Sequence, residues 1–342
     1  MRVLIIGLGF VGSNAAALFS ERGFNVHAVD INPRILDYVK EARLLSISTA
    51  DVTDLDSLAE VASGVKPEII VHTAISPLAD QLSQTIRVNV VGLANTLEIA
   101  RRYDSRVIYL SSGSVYGQLS EKEEPISEAE PLGPIYPQRE YDLPWAPTYS
   151  TSKRMGESLV ELASRLYGLQ AIILRLGLVY GRGDSLYNAG LTLLLRRALA
   201  KRPLILEYGG DTFCPFVYVK DVAEAILRAA SQHLKYGVFN IADQRGYFMR
   251  EAAEVVEQII PDAEIRLGPG IWPSKNVPLP RGVISWLTRR RLDISKAVDV
   301  LGYSPRYSLY NGTVEYASWM QRNWERYSPS AVPFPDDQKR NI

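Results

Sequence analysis

The chain of 342 residues has a single cysteine, Cys214, which excludes an internal disulfide and any metal site built on paired thiolates. Histidine is nearly as scarce: His27, His72 and His233 are the only three, and a three-histidine metal centre would need all of them. Neither sign of charge prevails. The 38 Lys and Arg balance 38 Asp and Glu, so no basic surplus exists to hold a nucleic-acid backbone or an anionic membrane. No run of about 18 uncharged apolar residues occurs, so no hydrophobic membrane span is expected. Met1-Arg2-Val3-Leu4-Ile5 runs straight into a glycine turn, and no secretory leader is expected there. What is abundant is ordinary: 46% hydrophobic and 22% charged residues, enough to bury a substantial core. The expectation is a soluble, cytoplasmic protein of a reducing compartment that works on a small molecule in a pocket.

The first half alternates two patterns. Val3–Ile6, Asn25–Val29, Leu44–Ile47, Ile69–His72 and Val107–Leu110 are short apolar runs suited to buried parallel strands. Between them Ser13–Arg22, Leu55–Ser63 and Leu82–Tyr103 read as helices, which predicts right-handed crossovers and a doubly wound α/β sheet. From Glu121 to Pro147 six prolines exclude a long helix or a central strand, and the stretch reads as a loop covering a site. A helix resumes over Tyr149–Tyr167, followed by a strand at Ala171–Leu174. Beyond Tyr180 the spacing becomes irregular, with helices at Leu191–Ala200, Val222–Ser231, Arg250–Ile260 and Asn311–Arg326 and a strand at Val238–Asn240. The expected division is a dinucleotide-binding domain over 1–180, a smaller substrate lobe over 181–327, and a loose tail over 328–342.

Gly7-x-Gly9-x-x-Gly12 stands between the first strand and the first helix. Glycine there permits a tight turn, close approach of a pyrophosphate to the backbone, and close helix–strand packing. The pyrophosphate would rest on the amides and positive end of the helix, beside Phe10 and Val11. Asp30, eighteen residues after Gly12, would accept from both ribose hydroxyls and repel a 2′-phosphate, which favours NAD over NADP. Asn32 is a further cofactor candidate, and Arg34 in the same loop could instead serve a 2′-phosphate.

Tyr149 and Lys153 are four residues apart at the start of a helix, one above the other on the same face. A free phenol has a pKa of about 10. A neighbouring ammonium and an oxidised nicotinamide ring would both lower it, making a general base for an alcohol or a general acid for a ketone. Leu110-Ser111-Ser112-Gly113-Ser114-Val115-Tyr116-Gly117 follows an apolar strand at the carboxyl end of the sheet, where ligands of open α/β folds bind.

Together these residues resemble the extended short-chain dehydrogenase/reductases, in particular the NAD-dependent epimerase/dehydratase family, over nearly the whole chain. The likeness extends through Asp51-Val52, His72-Thr73-Ala74, Asn89 with Gly92, Arg175-Leu-Gly-Leu-Val-Tyr180-Gly181, Phe216–Ala223, and Asp293-Ile-Ser-Lys296-Ala297. It implies a Rossmann sheet, bound NAD, and a homodimer formed through the helices around 82–103 and 149–167. By position Ser112 would orient the substrate, Tyr149 would be the acid/base, and Lys153 would hold the nicotinamide ribose. Asp51 and Val52 would face the adenine, and Thr73, Ala74, Asn89 and Leu176 would complete the cofactor site. Ser114, Tyr116, Leu178 and Arg281 are the substrate candidates. Asp221, with Glu224 three residues on, reads as a helix cap.

Departures from the family pattern narrow the chemistry. The first glycine of the usual Gly-x-x-Gly-x-x-Gly turn falls on Ile6. The turn present resembles that of UDP-glucose 6-dehydrogenase, but that enzyme uses a cysteine nucleophile and no Tyr-x-x-x-Lys helix. Gly113 and Ser114 occupy the places of the dehydratases' acid pair, so dehydration is not expected. Leu178 replaces an Asn that meets the substrate diphosphate in sugar-nucleotide epimerases, and Cys214-Pro215 replaces the usual Arg. Arg281 or the Arg289-Arg290-Arg291 cluster could supply that contact. Three outcomes remain: an epimerase-like enzyme on a sugar or sugar nucleotide, a dehydrogenase of a smaller polyol, free sugar or hydroxy acid, and a non-catalytic NAD sensor or scaffold.

Overall fold

The computed structural model describes residues 1–33, 37–76, 81–117, 124–135, 146–184, 190–271 and 290–334. Arg34, Arg281, Arg289 and residues 335–342 of the expected tail lie outside them. The apolar runs become the strands β1 (Arg2–Ile6), β2 (Asn25–Asp30), β3 (Leu45–Thr49), β4 (Ile69–His72), β5 (Arg106–Ser112) and β6 (Ala171–Leu176). Helices α1 (Phe10–Glu21), α2 (Asp37–Lys40), α3 (Leu55–Val65), α4 (Leu82–Ile86), α5 (Gly92–Tyr103) and α6 (Ala146–Tyr167) separate them. Then come β7 (Leu178–Tyr180), α7 (Gly190–Leu199), β8 (Leu204–Leu206), β9 (Phe213–Cys214), β10 (Phe216–Tyr218), α8 (Val219–Ser231) and β11 (Tyr236–Ile241). The chain continues through β12 (Tyr247–Phe248), α9 (Met249–Ile259), β13 (Ile265–Leu267), α10 (Ser295–Leu301), α11 (Leu309–Arg322) and α12 (Trp324–Tyr327).

The main sheet has seven parallel strands in the order β11-β6-β5-β4-β1-β2-β3. From β1 the chain winds outward through β2 and β3, returns to β4, and winds the other way through β5, β6 and β11. The direction reverses between β1 and β4, and a crevice opens at the carboxyl ends of those two strands. Thr73, just past β4, donates its hydroxyl to Gly7 O at 2.6 Å and so ties the two sides of that crevice together.

Alternation along β5 sorts its residues between two cores. Ile108 and Leu110 join the layer that also holds Ala15, Phe19, Val222 and Ile226 of α1 and α8. Val107 and Tyr109 join the opposite layer, with Leu58, Leu93, Leu97, Val160 and Ala163 of α3, α5 and α6. A third cluster, formed mainly by α7, α9 and α11 with Tyr180, Phe216 and Tyr218, makes the core of the smaller lobe. Strand β11 and helix α8 lie beyond residue 181 yet pack with the main sheet.

Three sequence expectations change. The long helix over 82–103 is interrupted by a π-helical turn at Arg87–Val91. The wider turn carries Asn89, which accepts from Ser76 N at 2.8 Å and donates to Ser152 Oγ at 2.9 Å on α6. Residues 328–334 are docked and not a loose tail: Phe334 is fully buried, with the Arg196 and Arg197 guanidinium carbons 4.6 and 4.2 Å from its ring centroid. Arg196 also donates to the carbonyls of Tyr327 and Val332, giving this stretch the partners a free end would lack. Asp221 sits inside α8, not at its cap, and accepts from Arg306 N and Tyr307 N at 2.9 and 3.1 Å. It fastens the segment before α11 to α8, and burial raises its carboxyl to about 6.

Candidate active site

The glycine turn fits a dinucleotide for a reason visible in its three members. Gly7 has φ +99°, and a Cβ there would lie 2.6 Å from Ala74 N. A Cβ on Gly12 would come within 1.9 Å of Gly7 O. The protein itself therefore forbids side chains at these two. Gly9 differs: its φ is −76°, it is exposed, and a Cβ would meet no atom of the described residues within 4 Å. Neither strain nor packing demands glycine there, which leaves open space beside the first amides of α1 for a group from outside the chain. Gly9→Val is expected to leave the melting temperature unchanged while weakening NAD binding at least about tenfold, as read by calorimetric titration.

Around this cradle Asp30 Oδ2 accepts from Leu8 N at 2.7 Å, and Oδ1 accepts from Asn32 N at 2.9 Å. The carboxylate is thus fixed at the end of β2 beside the turn, with Asn32 exposed. Phe10 and Val11 open α1, half-buried. Asp51 accepts from Thr53 N at 2.8 Å. Val52 is packed so close to Gly92 that a Cβ there would lie 2.7 Å from Val52 Cγ1. Leu176 ends β6 and is buried, while Leu178 opens β7 and is half-buried.

On the other side of the crevice α6 presents Tyr149, Lys153 and Glu157 at successive turns of one face. Ser112, at the end of β5, accepts from Ser114 N at 3.2 Å and hydrogen-bonds the Tyr149 phenol. With a lone pair occupied by that amide, its proton is available for the phenol oxygen. Lys153 is buried, donates to Leu110 O at 2.7 Å, and lies 5.8 Å from the Tyr149 ring centroid. Burial lowers its ammonium to about 8, opposed by Glu157. The Tyr149 pKa is not lowered as expected: burial raises it, and the Ser112 hydroxyl, not Lys153, opposes that rise. The lysine spends its short hydrogen bond on a carbonyl, so the phenol of the protein alone keeps its proton at neutral pH.

Glu157 was not among the candidates. It accepts from Ser111 Oγ at 2.5 Å and from Arg175 Nε and Nη2 at 3.0 and 2.7 Å. Two signals were available: its four-residue spacing from Lys153, and Arg175 as the one charge in the apolar strand Ala-Ile-Ile-Leu-Arg-Leu.

The substrate candidates fare differently. Tyr116 is 1% exposed and donates to Asn240 Oδ1 at 2.7 Å, with Arg175 stacked 4.8 Å from its ring, so it belongs to the core and does not face a ligand. Ser114 is buried beside Ser112, and its hydroxyl has no hydrogen-bond partner among the described residues. Arg290 is not free for a diphosphate. It is buried, forms a two-pronged pair with Glu130 at 3.1 and 3.2 Å, and donates to Glu124 O at 2.6 Å. Arg291 donates to Gln244 O at 2.9 Å. Through the Arg290 contacts and the Ile126–Leu292 bridge, residues 124–130 of the proline-rich stretch are fastened to residues 290–292.

A sheet with this switch point, a glycine cradle and a Ser–Tyr–Lys triad defines a nucleotide-dependent oxidoreductase scaffold. The NAD dependent epimerase/dehydratase family model matches residues 3–242, and the chain belongs to that family. A Methanocaldococcus jannaschii protein named "Putative UDP-glucose 4-epimerase" is 29% identical over 334 residues, covering 93% of this chain and 97% of the relative. UDP-glucuronic acid decarboxylase 6 of Arabidopsis thaliana is 26% identical, covering 91% and 86%. Among solved structures, Thermotoga maritima UDP-glucose 4-epimerase with UDP-glucose superposes with a TM-score of 0.78 at 24% identity, covering 95% of this chain and all of that one.

Proposed function

We propose that this protein is a sugar-nucleotide epimerase that oxidises and re-reduces one secondary alcohol carbon in a single site. The observation that carries the reading is the Ser112–Tyr149 hydrogen bond backed by buried Lys153 at the crevice mouth. Gly7, Gly9, Phe10, Val11 and Gly12 would hold the NAD diphosphate, and Asp30 with Asn32 its adenosine ribose. Asp51, Val52, Thr73, Ala74, Asn89 and Leu176 would line the rest of the cofactor site. Bound there, NAD supplies the hydride acceptor of the first half-reaction and the hydride donor of the second.

The chain's own residues handle the proton. Tyr149 takes it from the substrate hydroxyl as the carbinol becomes a ketone and returns it when the ketone is reduced. Ser112 holds the reacting oxygen against the phenol, and Lys153 holds the ribose and supplies positive charge. That charge is present below about pH 8 and is lost above it. Turnover is therefore expected to decline as pH rises through about 8, and Glu157→Gln, which removes the opposing carboxylate, should move this alkaline limb downward. A pH–rate profile of both proteins checks this.

The sugar is placed against the smaller lobe, residues 181–327, with Ser114 and Leu178 near the reacting end. A second reading, a dehydrogenase of a smaller polyol, free sugar or hydroxy acid, is favoured by Leu178 and Cys214-Pro215 standing where diphosphate-binding residues are usual. Incubation with NAD and UDP-glucose or UDP-glucuronic acid, and in parallel with free sugars, polyols and hydroxy acids, separates the two. The 4-epimer without net NADH supports the epimerase, whereas accumulating NADH supports the dehydrogenase. Bound NAD with no turnover on either class of substrate would overturn both readings.

A homodimer through α5 and α6 is part of the same proposal. Leu162, Leu166 and Tyr167 on α6 and Val91 beside α5 are all exposed apolar side chains. Sedimentation showing only monomer at micromolar concentration would rule it out. A cytoplasmic location accords with the one unpaired, buried cysteine, whose thiol burial raises to about 12. No helix among the described residues is long and apolar enough to cross a membrane.

A further inference from the structure

Behind Lys153 lies a side chain that takes no part in the reaction described above. Tyr109, on β5, is 1% exposed, and its ring centroid is 5.1 Å from Lys153 Nζ, nearer than the 5.8 Å of Tyr149. Two unfavourable features converge on this ring. Its hydroxyl is buried with no hydrogen-bond partner among the described residues, which costs stability. Gly156 sits in the interior of α6, where glycine is a much poorer helix former than alanine.

No backbone reason explains Gly156, whose φ is not positive. The reason is steric: a Cβ there would lie 2.2 Å from Tyr109 Oη and 2.7 Å from Cζ. The helix thus carries a weak helix former so that this phenol can enter, and the cation within reach of the phenol ring is Lys153.

Among the described residues the ammonium has few other partners. From its own helix Tyr149 and Glu157 face it, and Glu157 is already held by Arg175 of β6 and by Ser111. From β5 comes the Leu110 carbonyl, and from β4 His72, which burial and the nearby Lys153 keep neutral by lowering it to about 3. A ring face offers a desolvated cation part of the negative potential that water no longer supplies.

We propose that Tyr109 is a positioning residue for Lys153. Its ring is the wall that keeps the ammonium charged and directed toward Tyr149, and Gly156 is the gap that admits it. The bearing on turnover rests on the epimerase reading, but the test does not. Lys153 is titrated in the free protein by NMR of [13Cε]lysine, its signal assigned by its loss in Lys153→Met. The wild type and Tyr109→Phe, which keeps the ring, are expected to titrate together.

Tyr109→Leu should titrate about one pH unit lower, the size of a desolvated cation–π contact. Phenylalanines of increasing fluorination at position 109 keep the shape while draining the ring face, and should lower the midpoint stepwise. If Tyr109→Leu does not fold, that series decides alone. A midpoint that ignores ring fluorination overturns the proposal. Because no substrate is present, an unmoved midpoint beside intact Tyr149-dependent turnover defeats this inference only. A shifted midpoint in a protein that turns over no sugar defeats only the epimerase reading.

Discussion

Tyr149→Phe is expected to lower turnover by about 10²–10⁴-fold, the usual contribution of a positioned acid/base. Bound NAD should be retained. The substitution removes one oxygen and leaves the ring, so α6 keeps its place against β5 and Lys153 keeps its bond to Leu110 O. Ser112 loses the phenol but still accepts from Ser114 N, and the short helical turn after β5 stays capped. The loss should therefore fall on the chemical step and not on binding. Single-turnover measurement of the first half-reaction, read as NADH absorbance after substrate is mixed with the NAD-loaded protein, isolates that step. Wild-type speed in Tyr149→Phe would remove the phenol from the mechanism. The Tyr149 pKa strengthens this expectation: burial holds the phenol protonated, so the resting protein is set up as an acid. It becomes a base only while substrate and cofactor are in place.

What was legible in the sequence was whatever follows from local period. The inner strands β1 and β4 are apolar runs because both their faces are covered, the edge strand β3 alternates Leu-Ser-Ile-Ser, and the strands of the main sheet fell within two residues of their observed bounds. Tyr149 and Lys153 could be paired because four residues make about one helical turn. The glycine turn could be read because the strain and clash at Gly7 and Gly12 arise within about seventy residues of chain folded against itself. What was not legible depends on distant partners. Nothing near Tyr116 in sequence announces Asn240, and nothing near Arg290 announces Glu130. Prolines after Ser328 suggested looseness, whereas Phe334 finds its arginines more than 130 residues earlier. The π turn at Asn89 escaped for another reason: it adds one residue to a helix without changing its composition.

Arg175 and Glu157 combine the two cases, and their disruption should give the largest loss of stability. The pair is two-pronged and buried, with the side chains only 8% and 11% exposed. Arg175→Met would leave the Glu157 carboxylate in the core with Ser111 as its remaining donor. Removing one partner of such a pair costs about 3–5 kcal/mol, because the other charge stays desolvated and unopposed. Glu157→Gln should cost a comparable amount by stranding the guanidinium between the Tyr116 ring and Glu128 O. The double variant Arg175→Met with Glu157→Gln removes both charges and should recover most of the loss. Urea unfolding of the four proteins closes the cycle, and strictly additive losses would show that the two charges do not depend on each other. The double variant also separates folding from function. It is expected to be nearly as stable as the wild type while its alkaline activity limb lies lower, since Lys153 has lost the carboxylate that opposes its neutralisation. A pair retained only for stability would leave that limb where it was.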